Sequence, residues 1–361
     1  MNKYKKIAVK VGSNVLTRDD GTLNVTRLSA LVDQIVELRK CGVSVVLISS
    51  GAVASGRSEI KPDKKLDPVS ARQLYSSVGQ AKLINRYYEL FREHRIPCGQ
   101  VLTMKENFST RRHYLNQKNC MEVMLNNGVL PIVNENDTVA VTELMFTDND
   151  ELSGLIAAML DMDALIILSN VDGIYDGDPA LEGSKVIREI ADSKQEIVSY
   201  AKAGKSQFGR GGMSTKSRIA KKVADEGITV IIANGMRDNI LPELIKEQSD
   251  VICTRFIPSS KSISNVKKWI AHSEGFAKGE IYINDGARDA LFQPKATSIL
   301  FVGVTRIEGG FEKDDIVKIF DGDGNQIGVG CVGYNSEEAR SRIGKRSGKP
   351  LVHYDYLHLE G

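Results

Sequence analysis

The sequence lacks most of the features that assign a protein to a class at a glance. No apolar run approaches the ~18 residues of a membrane-spanning helix, so a membrane class is not expected. Met1-Asn2-Lys3-Tyr4-Lys5-Lys6 leads straight into a strand-like run without the apolar core of a signal peptide, and a cytoplasmic location is expected. The five cysteines (Cys41, Cys98, Cys120, Cys253, Cys331) are odd in number, dispersed and never paired as C-x-x-C, which argues against a disulfide framework and against a zinc site. None of the five histidines falls in H-E-x-x-H or another metal spacing, so they are read as ordinary surface or core side chains. Gly204-Lys205-Ser206 lacks the glycine five positions earlier that a Walker A loop needs, and neither H-R-D nor D-F-G of the protein kinases occurs. A net charge of +2 is too weak to call for nucleic acid by itself.

What remains is an ordinary globular composition, 42% hydrophobic and 26% charged over 361 residues, enough for a sizeable core and two domains. Short β-type runs at 7–11, 44–48, 101–103, 131–133, 164–169 and 228–233 alternate with helical spacing at 28–38, 71–91, 121–125, 151–160 and 214–226. Such alternation predicts an α/β fold with a mainly parallel sheet sandwiched by helices and ligands at the strand carboxyl ends. Near residue 260 the composition turns polar. Short alternating runs follow at 280–283, 299–304, 316–320 and 326–332, separated by turns such as Asp321-Gly322-Asp323-Gly324, the pattern of a small β-rich domain. The expected division is 1–258, a linker at 259–268, and 269–361.

Chemistry concentrates in residues 131–154. A strand ends in Asn134-Glu135-Asn136-Asp137, and Thr147-Asp148-Asn149-Asp150 precedes a helix. Asp148 and Asp150 would serve as helix caps, but one cap needs one such residue, and Glu135, Asp137, Glu143, Asp148 and Asp150 crowd this stretch. Two lysines stand beside glycine turns. Lys10 interrupts an apolar strand just before Gly12, a desolvated place that suits a lysine only if it meets an anion. Lys216 opens a helix after Gly209-Arg210-Gly211-Gly212-Met213-Ser214-Thr215, which is either a flexible surface turn or a loop that holds phosphate oxygens at a helix N-terminus. Ser49-Ser50-Gly51-Ala52 ends a second strand with residues small enough for close backbone approach, and Ser169-Asn170-Val171-Asp172-Gly173 lies at the same rim, as a plain turn or a nucleotide contact. The cluster Thr110-Arg111-Arg112-His113 is open between a solvated helix face and the border of a pocket.

The order and spacing of these pieces, from Lys10-x-Gly12-Ser13 through Asn134-Glu135-Asn136-Asp137 and Asp148-Asn149-Asp150 to Gly211-Gly212-Met213-Ser214-Thr215-Lys216, resemble the amino acid kinase superfamily and, within it, the glutamate 5-kinase family. The resemblance covers essentially the whole chain, with a PUA domain as the C-terminal companion. It implies a transfer of phosphate from ATP, with Mg²⁺, to the γ-carboxylate of L-glutamate, and feedback inhibition by proline at or overlapping the glutamate site. Lys10 and Lys216 would neutralise the transferring phosphoryl group and Asp150 would organise them. Ser50, Asp137 and Asn149 would bind L-glutamate, while Ser169, Asn170 and Arg210, Gly211, Gly212, Met213, Ser214, Thr215 and Lys216 would bind ATP. Metal ligands are not assigned. The chain departs from the family at Asn170, where Asp is frequent. A homo-oligomer, dimer or tetramer, is implied, with glutamyl phosphate reductase as a further partner. PUA modules elsewhere bind RNA, but residues 266–361 hold 13 Lys and Arg against 14 Asp and Glu, so the basic footprint of an RNA-binding surface is not expected.

Overall fold

The computed structural model describes residues 2–139, 149–179, 181, 183–191, 212–260, 264–293, 297–346 and 348–359. The chain forms two compact units, residues 1–105 with 117–262, and residues 106–116 with 263–361.

The first unit is organised on an eight-stranded sheet of β1 (Lys6–Val11), β2 (Ser44–Ile48), β3 (Cys98–Thr103), β4 (Leu130–Glu135), β5 (Ala164–Ser169), β6 (Glu189–Ile190), β7 (Thr229–Asn234) and β8 (Cys253–Phe256). Their order is β3-β4-β2-β1-β5-β7-β8-β6, parallel throughout except between β7 and β8. The helices in chain order are α1 (Ser13–Leu16), α2 (Val25–Lys40), α3 (Ala52–Arg57), α4 (Pro68–Glu93), α5 (Arg111–Asn126, in this unit only from residue 117), α6 (Asn149–Met159), α7 (Met213–Asp225) and α8 (Ile240–Ile245). From β1 the chain steps to β2 on one side, and it later reaches β5 on the other. The carboxyl ends of β1 and β5 therefore flank the switch point where α/β sheets open a ligand crevice.

Alternation along β1 decides which way its residues face. Ile7, Val9 and Val11 join a core shared with α2 and α8, and Ala8 and Lys10 face the opposite side of the sheet, where α6 packs. Helix α4 begins three residues earlier than the periodicity predicts, because the Asp67 side chain accepts from the N–H groups of Val69 and Ser70 and Pro68 occupies the first turn. Helices α3 and α4 cross at two glycines. A Cβ on Gly56 would lie 1.8 Å from the Tyr75 carbonyl oxygen, and one on Gly79 1.8 Å from that of Ala52, so the two backbones touch with no side chain between them.

The second unit holds a five-stranded sheet of β9 (Gly279–Ile283), β10 (Val304–Gly309), β11 (Ile316–Phe320), β12 (Gln326–Val332) and β13 (Val352–Leu359), in the order β10-β9-β11-β12-β13. It is antiparallel except for β9 and β11. Helices α9 (Asn265–Ala271), α10 (Asp285–Leu291) and α11 (Ser336–Ser341) accompany it, so this unit is less purely β than its sequence pattern suggests. The run at 299–304 differs from expectation. Ile299 forms an isolated bridge with Val352, residues Phe301–Gly303 make a 3₁₀ turn, and the strand starts only at Val304. The alternation there is real as burial, with Ile299, Phe301 and Val304 inside and Leu300 and Val302 outside, but a bridge followed by a turn satisfies it as well as a strand does.

Candidate active site

Three charged side chains from distant parts of the chain meet beneath the sheet's carboxyl edge. Lys10, near the end of β1, places Nζ 2.6 Å from Oδ1 of Asp150, and Lys216, in the first turn of α7, places Nζ 3.0 Å from Oδ2 of the same carboxylate. All three are buried, Asp150 completely. Asp150 stands in the first turn of α6, where the helix dipole favours a negative charge. Isolated ions at such depth would each cost several kcal/mol of desolvation, which pairing offsets. Two ammonium groups share one carboxylate, an arrangement that can receive an anion. Beside it, Gly12 donates its N–H to the Leu168 carbonyl at 3.1 Å, and a Cβ there would press on that oxygen. The neighbouring Asn14 Oδ1 is buried without a hydrogen-bond partner among the described residues, an acceptor left waiting for a donor.

Asn149, one residue before Asp150, ties two strand exits together. Its Nδ2 donates toward the Ser49 carbonyl and the Ser50 hydroxyl, each at 3.1 Å, and toward Asn134 Oδ1 at 3.2 Å. Asn134 in turn donates to Gln80 Oε1 on α4 at 2.8 Å. The Ser49 hydroxyl lies 2.9 Å from that of Tyr87, whose phenol burial pushes up to about 12. The turn from Ser50 into α3 needs Gly51, which adopts φ +101° with little room for a side chain beside Leu23. Ser50, Asn149 and the exit of β4 therefore line one rim.

Asp137 follows β4 and meets a partner that the sequence did not advertise. Arg72, on α4, donates through Nε to Asp137 Oδ1 at 2.9 Å, and one terminal nitrogen reaches the same oxygen and Glu135 Oε2, the latter at 3.1 Å. Gln73 adds a bond to the Thr138 carbonyl at 3.0 Å. A cavity of about 240 Å³ adjoins this loop, lined by Ser76, Gln80, Glu135, Asn136, Asp137 and neighbouring residues.

On the other side of the switch point, Ser169 closes β5 and is buried, while Asn170 is exposed beside it. The loop that continues from them is fastened by Asp172, whose carboxylate accepts from Arg237 at 2.7 and 2.9 Å and from Asn234 at 3.1 Å. Those bonds, the Arg237 one foremost, hold the Asp172 carboxyl below the usual carboxylate range. Gly212 precedes α7 in an extended conformation, with no side-chain cap, so Met213, Ser214, Thr215 and Lys216 open a helix whose first N–H groups have no capping side chain. Arg210, Gly211 and Asp148 lie outside the described residues.

Residues 5–234 match the amino acid kinase family and residues 279–354 match the PUA domain. A glutamate 5-kinase of Bacteroides thetaiotaomicron is 70% identical over 358 residues, 99% of each chain. One of Chlorobaculum tepidum is 48% identical over 357 residues, covering 99% of this chain and 98% of that one. The chain belongs to the glutamate 5-kinase family. As a member of this kinase family it carries Lys10, Asp150 and Lys216 on the scaffold seen in a solved carbamate kinase from Giardia lamblia bound to AMP-PNP. The two share the fold, at a TM-score of 0.51 and 18% identity, over 72% of this chain and all of that one. Among the described residues no helix is long and apolar enough to cross a membrane.

Proposed function

We propose that the chain transfers the γ-phosphoryl group of ATP to the γ-carboxylate of L-glutamate, releasing ADP and L-glutamyl 5-phosphate, the first step of proline synthesis. The observation that carries this reading is the buried Lys10–Asp150–Lys216 cluster at the carboxyl edge of the sheet. A glutamate side chain has an unperturbed pKa of about 4.3, so the attacking carboxylate is already ionised at neutral pH and needs no general base. The difficulty lies in bringing one anion to another. Lys10 and Lys216 neutralise the phosphoryl oxygens, and Asp150 holds the two ammonium groups at fixed positions so that no reorganisation is required during transfer.

Ser50, Asp137 and Asn149 take the amino acid, Asp137 meeting its ammonium group. Ser169, Asn170, Gly212 and the first turn of α7 take the nucleotide, together with Arg210 and Gly211, and the uncapped N-terminus of α7 suits its phosphates. Both Asp150 oxygens face lysines. Mg²⁺ bound with the nucleotide would offset part of the phosphate charge. Proline, as a smaller amino acid with the same α-carboxylate and a ring nitrogen, inhibits at the glutamate site. The working form is a homo-oligomer in the cytoplasm that passes its labile acyl phosphate to glutamyl phosphate reductase. A coupled ADP-release assay comparing glutamate, aspartate, N-acetylglutamate and uridylate tests the assignment. Turnover with glutamate alone is expected, and preference for any of the others overturns it.

A further inference from the structure

We infer that Arg72 is a positioning residue for the amino-acid substrate, acting through Asp137 by balancing the charge of the Glu135–Asp137 pair. The inference rests on the proposed glutamate reading of the site. Glu135 and Asp137 are two residues apart at the end of β4, 4% and 9% exposed, and like charges buried so close oppose one another's ionisation. Arg72 bonds to both, and its side chain is only 21% exposed. The shared guanidinium offsets the repulsion between the two carboxylates, and in the proposed reading Asp137 is the one that meets the substrate ammonium group. The planar guanidinium also fixes where that carboxylate points, since its Nε and a terminal nitrogen both hold Oδ1 of Asp137.

The supporting framework is a single face of α4. Arg72, Ser76 and Gln80 follow at helical spacing, Gln73 lies beside them, and Gln73 and Gln80 bond to Thr138 and Asn134 of the same loop. Residues 134–138 are thus gripped at three points, of which only Arg72 carries charge. The geometry separates two roles that α4 performs: Gln73 and Gln80 place the backbone of the loop, and Arg72 sets its electrostatics.

The test compares Arg72→Gln, Arg72→Lys, Glu135→Gln and the double variant Arg72→Gln/Glu135→Gln in steady-state assays of ADP release, varying glutamate and ATP separately. Arg72→Gln is expected to raise the KM for glutamate about tenfold or more, the loss of one charge-assisted contact, while the KM for ATP stays within about twofold. Arg72→Lys keeps the charge without the fork and recovers part of the loss. The double variant removes one charge of each sign and recovers glutamate affinity relative to Arg72→Gln alone, a coupling that a merely structural role does not produce. Should Arg72→Gln fail to fold, Arg72→Lys and Glu135→Gln read the same KM split. Equal losses for both substrates, or no recovery in the double variant, overturn the inference. A wild-type enzyme inactive on glutamate would instead overturn the proposed function, so the two failures are distinguishable.

Discussion

Two charge clusters in the first unit are built on opposite plans. In one, a single carboxylate, Asp150, sits between two ammonium groups; in the other, a single guanidinium, Arg72, sits between two carboxylates. The first brings two positive groups to one negative, and the second two negative groups to one positive. Both are largely withdrawn from water, where an unbalanced charge is felt strongly by whatever ligand enters. The contrast teaches that the character of such a trio is set by its like-charged outer pair rather than by the residue at its centre. It also matches what the proposed reaction needs, an anionic phosphoryl group on one side and an ammonium group on the other.

The largest effect that would break the contrast comes from the lysines. Lys10→Met and Lys216→Met each leave Asp150 with one lysine, and kcat is expected to fall about a hundred- to a thousandfold in steady-state assays, as when one donor to a developing charge is lost. Thermal stability is expected to change less than kcat in the same variants, since Asp150 keeps one lysine partner in each. A fall in melting temperature with kcat preserved would mean that the cluster is structural. Asp137→Ala probes the second cluster. It is expected to raise the KM for glutamate about ten- to a hundredfold, the worth of one hydrogen bond to a charged group, with the KM for ATP little changed. An effect confined to ATP would show the subsites to be interchanged.

The Asp172–Arg237 pair sharpens the comparison as a balanced, partly exposed control, with one charge of each sign and Arg237 43% exposed. Asp172→Asn should cost about 1 kcal/mol or less at pH 7. Because the folded carboxyl titrates below its unfolded value, this contribution is present above the ordinary carboxylate range and is lost as pH falls through the depressed pKa. Melting curves of the two proteins are therefore expected to differ by a constant amount from pH 5 to 8 and to converge only in stronger acid, below about pH 4. A gap that varies near neutrality would point to another titrating group.

Much of the first trio was legible in the sequence because each member broke a local rule. Lys10 interrupts an apolar strand, Asp150 opens a helix, and Lys216 follows a glycine turn, and strand alternation with helix polarity sends all three to one edge. Arg72 broke no such rule. An arginine near the start of a long helix is ordinary, and its partners lie 63 and 65 residues away, so only tertiary packing reveals it. In the second unit, β11 and β12 were readable as short, mostly apolar β-type runs, both largely buried, whereas β13, with His353, Tyr354, Asp355 and Tyr356 at its centre, has an irregular burial pattern that carries no period of two.

The glycine crossing of α3 and α4 has a consequence for how such a site can diverge. Interfaces made of interdigitating side chains drift: a lost methylene on one side is answered by a gain on the other, and the distance between elements slides by fractions of an ångström. Two backbones in contact at Gly56 and Gly79 have no such adjustable layer. The crossing is a fixed joint, and it fastens the helix that follows Ser50 and Gly51 to the one that carries Arg72 and Gln80. Substrate preference on this frame can change by exchanging the side chains that project from it, while the spacing between α3 and α4 stays where the backbone puts it.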